Sequence, residues 1–154
     1  MERVRILSLK GLSRRQFVLI RDGQAEAARV WTVCRDMHLT ARQKTTSWPG
    51  RNEYHEFTKG GRFALYSQSI QQVFRAFDAA VDATCENRRN GRVEGRYPYK
   101  DKRFFPLMWP AQAMRCEERR IHLADGPESP LFSLRAPGLA HGTLCLQGGL
   151  ERAA

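Results

Sequence analysis

The stretch from Arg88 to Phe105 concentrates the side chains best suited to chemistry in this 154-residue chain. It carries seven basic residues, Arg88, Arg89, Arg92, Arg96, Lys100, Lys102 and Arg103, opposed only by Glu94 and Asp101. Tyr97, Tyr99, Phe104 and Phe105 are interleaved among them. Cationic side chains neutralise phosphates, and aromatic faces stack on unpaired bases. The segment therefore reads as a nucleic-acid contact made by Arg88, Arg89, Arg92, Arg96, Tyr97, Tyr99, Lys100, Lys102 and Arg103. The competing reading is a solvated loop whose aromatic rings plug a neighbouring core.

Other chemistry is poorly represented. Cys34 and His38 stand four apart on a helix-like stretch and could offer two metal ligands, but zinc sites normally show paired local spacing. A buried cysteine on an apolar face is the better account, and no metal or cofactor is expected. There is no GxSxG, no GxxxxGK[ST] and no HExxH. Glu117 and Glu118 form a carboxylate pair, but Arg115, Arg119 and Arg120 surround them, which reads as surface ion pairing. No enzymatic activity is expected.

The whole chain shares the charge of this segment. Lys and Arg total 26 against 16 Asp and Glu, a net charge of +10. Of the basic residues 21 are Arg, whose planar fork matches phosphate better than the point charge of Lys. The excess favours a polyanionic partner, RNA first and DNA second. No apolar run approaches the roughly 20 residues of a membrane span. Met1–Lys10 has no signal-peptide core, and the four scattered cysteines include no CxxC, so the expected setting is the reducing cytoplasm, with no membrane partner.

Several elements must position the basic stretch. Val4 to Leu9 reads as a short strand, broken at Gly11. Ser13 and Gln16 fit a capping box for a helix whose face runs Phe17, Ile20, Gln24, Ala27, Trp31, Cys34 and His38, ending near Ala41. Gly23 falls inside it, at a cost of about 1 kcal/mol relative to Ala. The arginines of this helix do not share one face and read as ordinary surface charge. Lys44 to Gly61, with Trp48-Pro49-Gly50, reads as a loop holding one short helix at Asn52 to Thr58. Ile70, Val73, Phe74, Phe77, Val81 and Cys85 form the apolar stripe of a second long helix, Leu65 to Arg88. At Asn90-Gly91 the period changes. Phe104 to Trp109, Met114 to Cys116, Arg120 to Ala124 and Leu131 to Leu134 are strand candidates, with Asp125-Gly126 as a turn and Pro106 weakening the first. The order predicts an α+β fold, a β lobe interrupted by a helical insertion. Gly138 to Ala154 lacks pattern and reads as an irregular tail.

Gly95-Arg96-Tyr97-Pro98-Tyr99-Lys100-Asp101-Lys102-Arg103 resembles the G-x-P-x-[FY]-K-x-[KR]-x junction of the TnpB/OrfB insertion-sequence proteins, transposon-borne RNA-guided endonucleases related to type V CRISPR effectors. Arg119 to Ala124 is similar to the phrase N-x-[IL]-x-L-P that follows in that family. Ser13 to Gln16, the mid-helix Trp31 and the Gln-rich start Ser69 to Val73 also fall in the family's order, so the resemblance covers Val4 to Pro137. It implies residues 1–12 as the first strand of a β-barrel wedge lobe and 13–90 as an inserted helical recognition lobe. Residues 91–137 would be the rest of the wedge, and 138–154 a tail. Tyr97-Pro98 departs from the family's usual Phe-Pro-Arg-Phe. The family's RNase-H-like nuclease domain, with its three acidic residues, has no counterpart here. The resemblance thus implies the N-terminal portion only, binding guide-like RNA and DNA without cutting. A decayed, truncated gene product or an unrelated basic DNA-binding regulator are the alternatives. No helix-turn-helix is evident, because over twenty residues separate the two long helices.

Overall fold

A computed structural model describes residues 11–117, 120–123, 132–135 and 144–146. The strand expected at Val4 to Leu9 and the turn at Asp125-Gly126 lie outside them.

Helix α1 spans Arg14–Gln43. It opens on the expected box: the Gln16 N–H donates to Ser13 Oγ at 3.2 Å, and the Ser13 N–H donates to Gln16 Oε1 at 2.8 Å. Its end is unusual. The Thr45 N–H donates to the Arg42 carbonyl at 3.3 Å and the Thr46 N–H to the Ala41 carbonyl at 3.0 Å. That is the Schellman pattern, but its left-handed position is filled by Thr45 at φ 53°. A β-branched residue there is strained, at a cost of order 1–3 kcal/mol.

Helix α2, Arg51–Thr58, starts where Glu53 Oε2 accepts from the Gly50 N–H at 2.9 Å. It buries Tyr54, whose ring stacks on Phe74 at 5.3 Å. Helix α3, Ser67–Arg89, buries Ile70, Val73, Phe74, Phe77 and Val81, the stripe read from the sequence. It ends in a second Schellman turn, with Gly91 at φ 78° and the Arg92 N–H donating to the Asn87 carbonyl at 2.9 Å. Here glycine occupies the left-handed position at no steric cost.

Among the described residues five short strands follow: β1 Leu107–Trp109, β2 Met114–Glu117, β3 Arg120–Leu123, β4 Phe132–Arg135 and β5 Leu144–Leu146. β1 pairs with β5, and β2, β3 and β4 form a second sheet in that order, every pair antiparallel. The fold is α+β. Among the described residues no helix is long and apolar enough to cross a membrane.

Two expectations are corrected. The strand expected from Phe104 starts only at Leu107, since Pro106 has no N–H to contribute to a ladder. The supposed tail contains β5, whose Leu144, Cys145 and Leu146 pair with Trp109, Met108 and Leu107. A three-residue strand leaves little pattern of its own; it exists because β1 presents an edge to pair with.

α1 and α3 run in the same direction. Trp31 meets Phe77 edge-on at 5.1 Å, while further along both helices Arg42 and Arg88 meet on one ring, that of Tyr97. Parallel helices need a crossover, supplied by α2 and its flanking loops. The core between them continues without a break into Leu107, Trp109, Ile121, Leu123 and Leu134 of the strands. Gly23 explains itself at this junction. A Cβ on it would lie 2.9 Å from Leu107 Cδ1, so the end of the Leu107 side chain packs directly on the bare helix surface.

Candidate nucleic-acid interface

The basic stretch is an irregular strap lying back along the α1–α3 pair. At its start Arg88 Nε donates to the Gly95 carbonyl at 3.0 Å, and Thr84 Oγ1 donates to the Arg96 carbonyl at 3.2 Å. Next, the Tyr99 hydroxyl and His38 Nδ1 share a hydrogen bond of 2.7 Å. Asp101 then pairs with Arg35 of α1. At its end the Phe105 N–H donates to the Gln24 carbonyl at 3.0 Å. The strap bends at Pro98, Lys100 and Arg103, and these ties to both helices hold its backbone in place.

The strap sorts its side chains. Arg88, Arg89, Arg92, Arg96, Lys100, Lys102 and Arg103 are all exposed. Two of them also serve the fold. Arg88 covers the Tyr97 ring at 4.8 Å, and the Lys102 ammonium lies 4.7 Å from the Trp31 ring and 5.5 Å from Phe105. Arg103 sits over the neighbouring Phe104 ring at 5.4 Å.

Tyr97 and Tyr99 also have a part in the fold. Both are half-buried and packed against the core. They stack on each other at 5.5 Å with 20° between planes. The Tyr97 hydroxyl lies 3.8 Å from Cys85 Sγ. Their packing fits the competing reading, aromatics that plug a core, while Phe104 further along the strap is 37% exposed.

Two residues on other elements, Arg42 and Trp48, join this surface, and neither was singled out for it in the sequence. Arg42 reaches the Tyr97 ring at 5.9 Å, so guanidiniums from two helix ends converge on one aromatic face. Both stand in the last turn of their helices, where cations also complement the helix dipole. Trp48 stands edge-on to Tyr97 at 5.7 Å and lies 4.2 Å from the ring of His38. Only the parallel crossover of α1 and α3 brings these together. The signal that could have pointed to them is weak: an arginine in each last turn and an aromatic in a proline-flanked loop.

His38 is buried beneath this cluster. Burial, reinforced by the Arg42 charge, lowers its pKa below the usual 6.5. The folded state therefore resists protonation that the unfolded chain accepts. Stability contributed by neutral His38 is present above about pH 6.5 and is lost as the pH falls through the lower folded-state value. The melting temperature should drop between pH 7.5 and pH 5.5, and His38→Gln should reduce that drop. An equal drop in the two proteins would place the titrating group elsewhere.

Cys34 faces the core, and burial pushes its thiol up to about 12, so it stays protonated. Among the described residues no group of three His, Cys, Asp or Glu gathers as a metal site. Glu117 lies 3.7 Å from Arg115 and 3.3 Å from His122, a surface pairing within the β2–β3 ladder. No known family model matches this chain, nor does any curated protein or solved structure.

Proposed function

We propose that this chain is a nucleic-acid-binding protein that holds RNA, and DNA as a second ligand, through the phosphate backbone. The observation that carries the reading is the sorting along the strap: Tyr97 and Tyr99 packed against the core and seven cations exposed, on a backbone tied to both helices. A preorganised row of cations loses little conformational entropy when it meets a row of phosphates. Arg42 extends the row onto the end of α1.

The contacting residues on this reading are Arg89, Arg92, Arg96, Lys100 and Arg103, with Arg42, Arg88 and Lys102 serving both fold and ligand. Tyr97 and Tyr99 act by holding the strap. The resemblance to the TnpB/OrfB proteins supports the same assignment. Under it the helices would form an RNA-holding recognition lobe and the strands part of a wedge lobe, and the chain would bind without cutting.

Fluorescence anisotropy of a labelled structured RNA, titrated at several salt concentrations, tests the reading. Binding should weaken steeply with salt, with a log–log slope set by the number of phosphates neutralised. No binding of RNA or DNA at low salt would overturn it.

A further inference from the structure

Trp48 is an aromatic side chain of this cluster that the fold leaves open. It is 42% exposed, whereas Trp31 and Trp109 are 5% and 2% exposed. It belongs to the loop between α1 and α2, and that loop is held in place. The strained Thr45 turn sets the chain's direction, the Thr46 and Gly50 N–H groups are bonded to Ala41 and Glu53, and the Trp48 ring rests against His38. Strain of this kind persists only where the surroundings enforce it, and it concentrates at ligand sites.

Trp48 also borders a groove of about 530 Å³. Val33, Met37, Ala41 and Pro49 contribute apolar walls, and Phe57, 42% exposed, lines it as well. Thr40, Thr46 and Ser47 add hydrogen-bonding groups to these walls, and an aromatic-walled groove of this size with such groups suits a flat, polar-edged ring of small-molecule size. The charges say what that ring carries. Lys44 stands on the wall, and Arg42 and Arg88 flank the Tyr97 ring that Trp48 abuts. Asp36 and Glu53 also line the groove, already engaged with Arg35 and with the Gly50 N–H. A bare anion would be repelled inside, whereas a neutral ring can enter and leave its phosphate among the cations outside. A purely apolar peptide would fill the walls and leave the arginines unused.

We propose that Trp48 is a stacking platform for an unpaired base, received in the groove lined by Trp48 and Phe57, with its phosphate towards Arg42 and Arg88. This rests on the nucleic-acid reading above and adds to it a preference for single-stranded segments.

The test uses the full chain with two probes, a short single-stranded oligoadenylate and an RNA duplex. Because Trp31 and Trp109 are buried, quenching of tryptophan fluorescence by the oligoadenylate reports on Trp48. Quenching should accompany binding. Trp48→Ala should weaken oligoadenylate binding between about fivefold and a hundredfold, the range for losing one stacked base. Trp48→Phe should restore most of it, and duplex affinity should stay within about twofold, since stacking carries no phosphate contact. Circular dichroism checks the fold; if Trp48→Ala fails to fold, Phe57→Ala on the exposed rim of the groove should show the same selective loss. Binding without quenching, or a folded Trp48→Ala chain that binds oligoadenylate as the parent does, would overturn the proposal. A parent that binds duplex but not oligoadenylate would sink it and leave the broader function standing. A parent that binds neither would sink both.

Discussion

Replacing Phe77 by alanine is expected to remove about 3–5 kcal/mol of folding stability, the range for emptying a buried phenylalanine site. The ring is fully buried at the centre of the molecule. It meets Trp31 edge-on at 5.1 Å and His38 at 5.8 Å, so it joins the apolar core to the polar cluster beneath the strap. Its neighbours sit on a 30-residue helix whose backbone cannot collapse inward to fill the space. Total stability for a domain of this size is about 5–15 kcal/mol, so the variant would lose a large share of it. At about 2–4 °C per kcal/mol, the melting temperature should fall by roughly 10 °C. Phe77→Leu, which keeps most of the volume, should lose less than half as much. Urea titration of the three proteins checks this. A loss below about 1 kcal/mol for Phe77→Ala would mean that the α1–α3 contact is not the stability centre.

The second large effect concerns binding. Changing Arg89, Arg92, Arg96, Lys100 and Arg103 together to alanine should lower RNA affinity by more than about tenfold at moderate salt. The log–log salt slope should fall by roughly one for each phosphate contact removed. These five are chosen because Arg88 and Lys102 also cover Tyr97 and Trp31, so their loss would mix folding with binding. All five are exposed, so the melting temperature should change little. Tyr97→Ala and Tyr99→Ala should do the reverse. Each removes packing from beneath the strap, and Tyr99→Ala also strips His38 Nδ1 of its partner, so stability should fall while the salt slope holds. A folded five-residue variant with parental affinity and slope would place the binding surface elsewhere.

The sequence by itself determined the helices and their inward faces. The Ser13–Gln16 box, the stripe from Ile70 to Val81 and the Asn90-Gly91 stop are local signals, written within a turn or two of the backbone they govern, and the structure carries them at those positions. Net charge and its concentration in Arg88 to Phe105 were legible for the same reason, since composition needs no geometry. What depended on distant partners was not legible. β5 exists through its pairing with β1 some thirty-five residues earlier. Gly23 reads as a weak point in a helix, and only the tertiary structure lays the Leu107 side chain against its bare surface. Tyr97 and Tyr99 looked like platforms for bases, because a sequence shows an aromatic ring's type but not which way it faces. Their direction was set by a strap tied to the end of α3 and to the middle of α1. The gathering of Arg42, Trp48 and Arg88 around Tyr97 was likewise a tertiary decision, since only a parallel crossover brings the ends of two helices to the same side of the molecule.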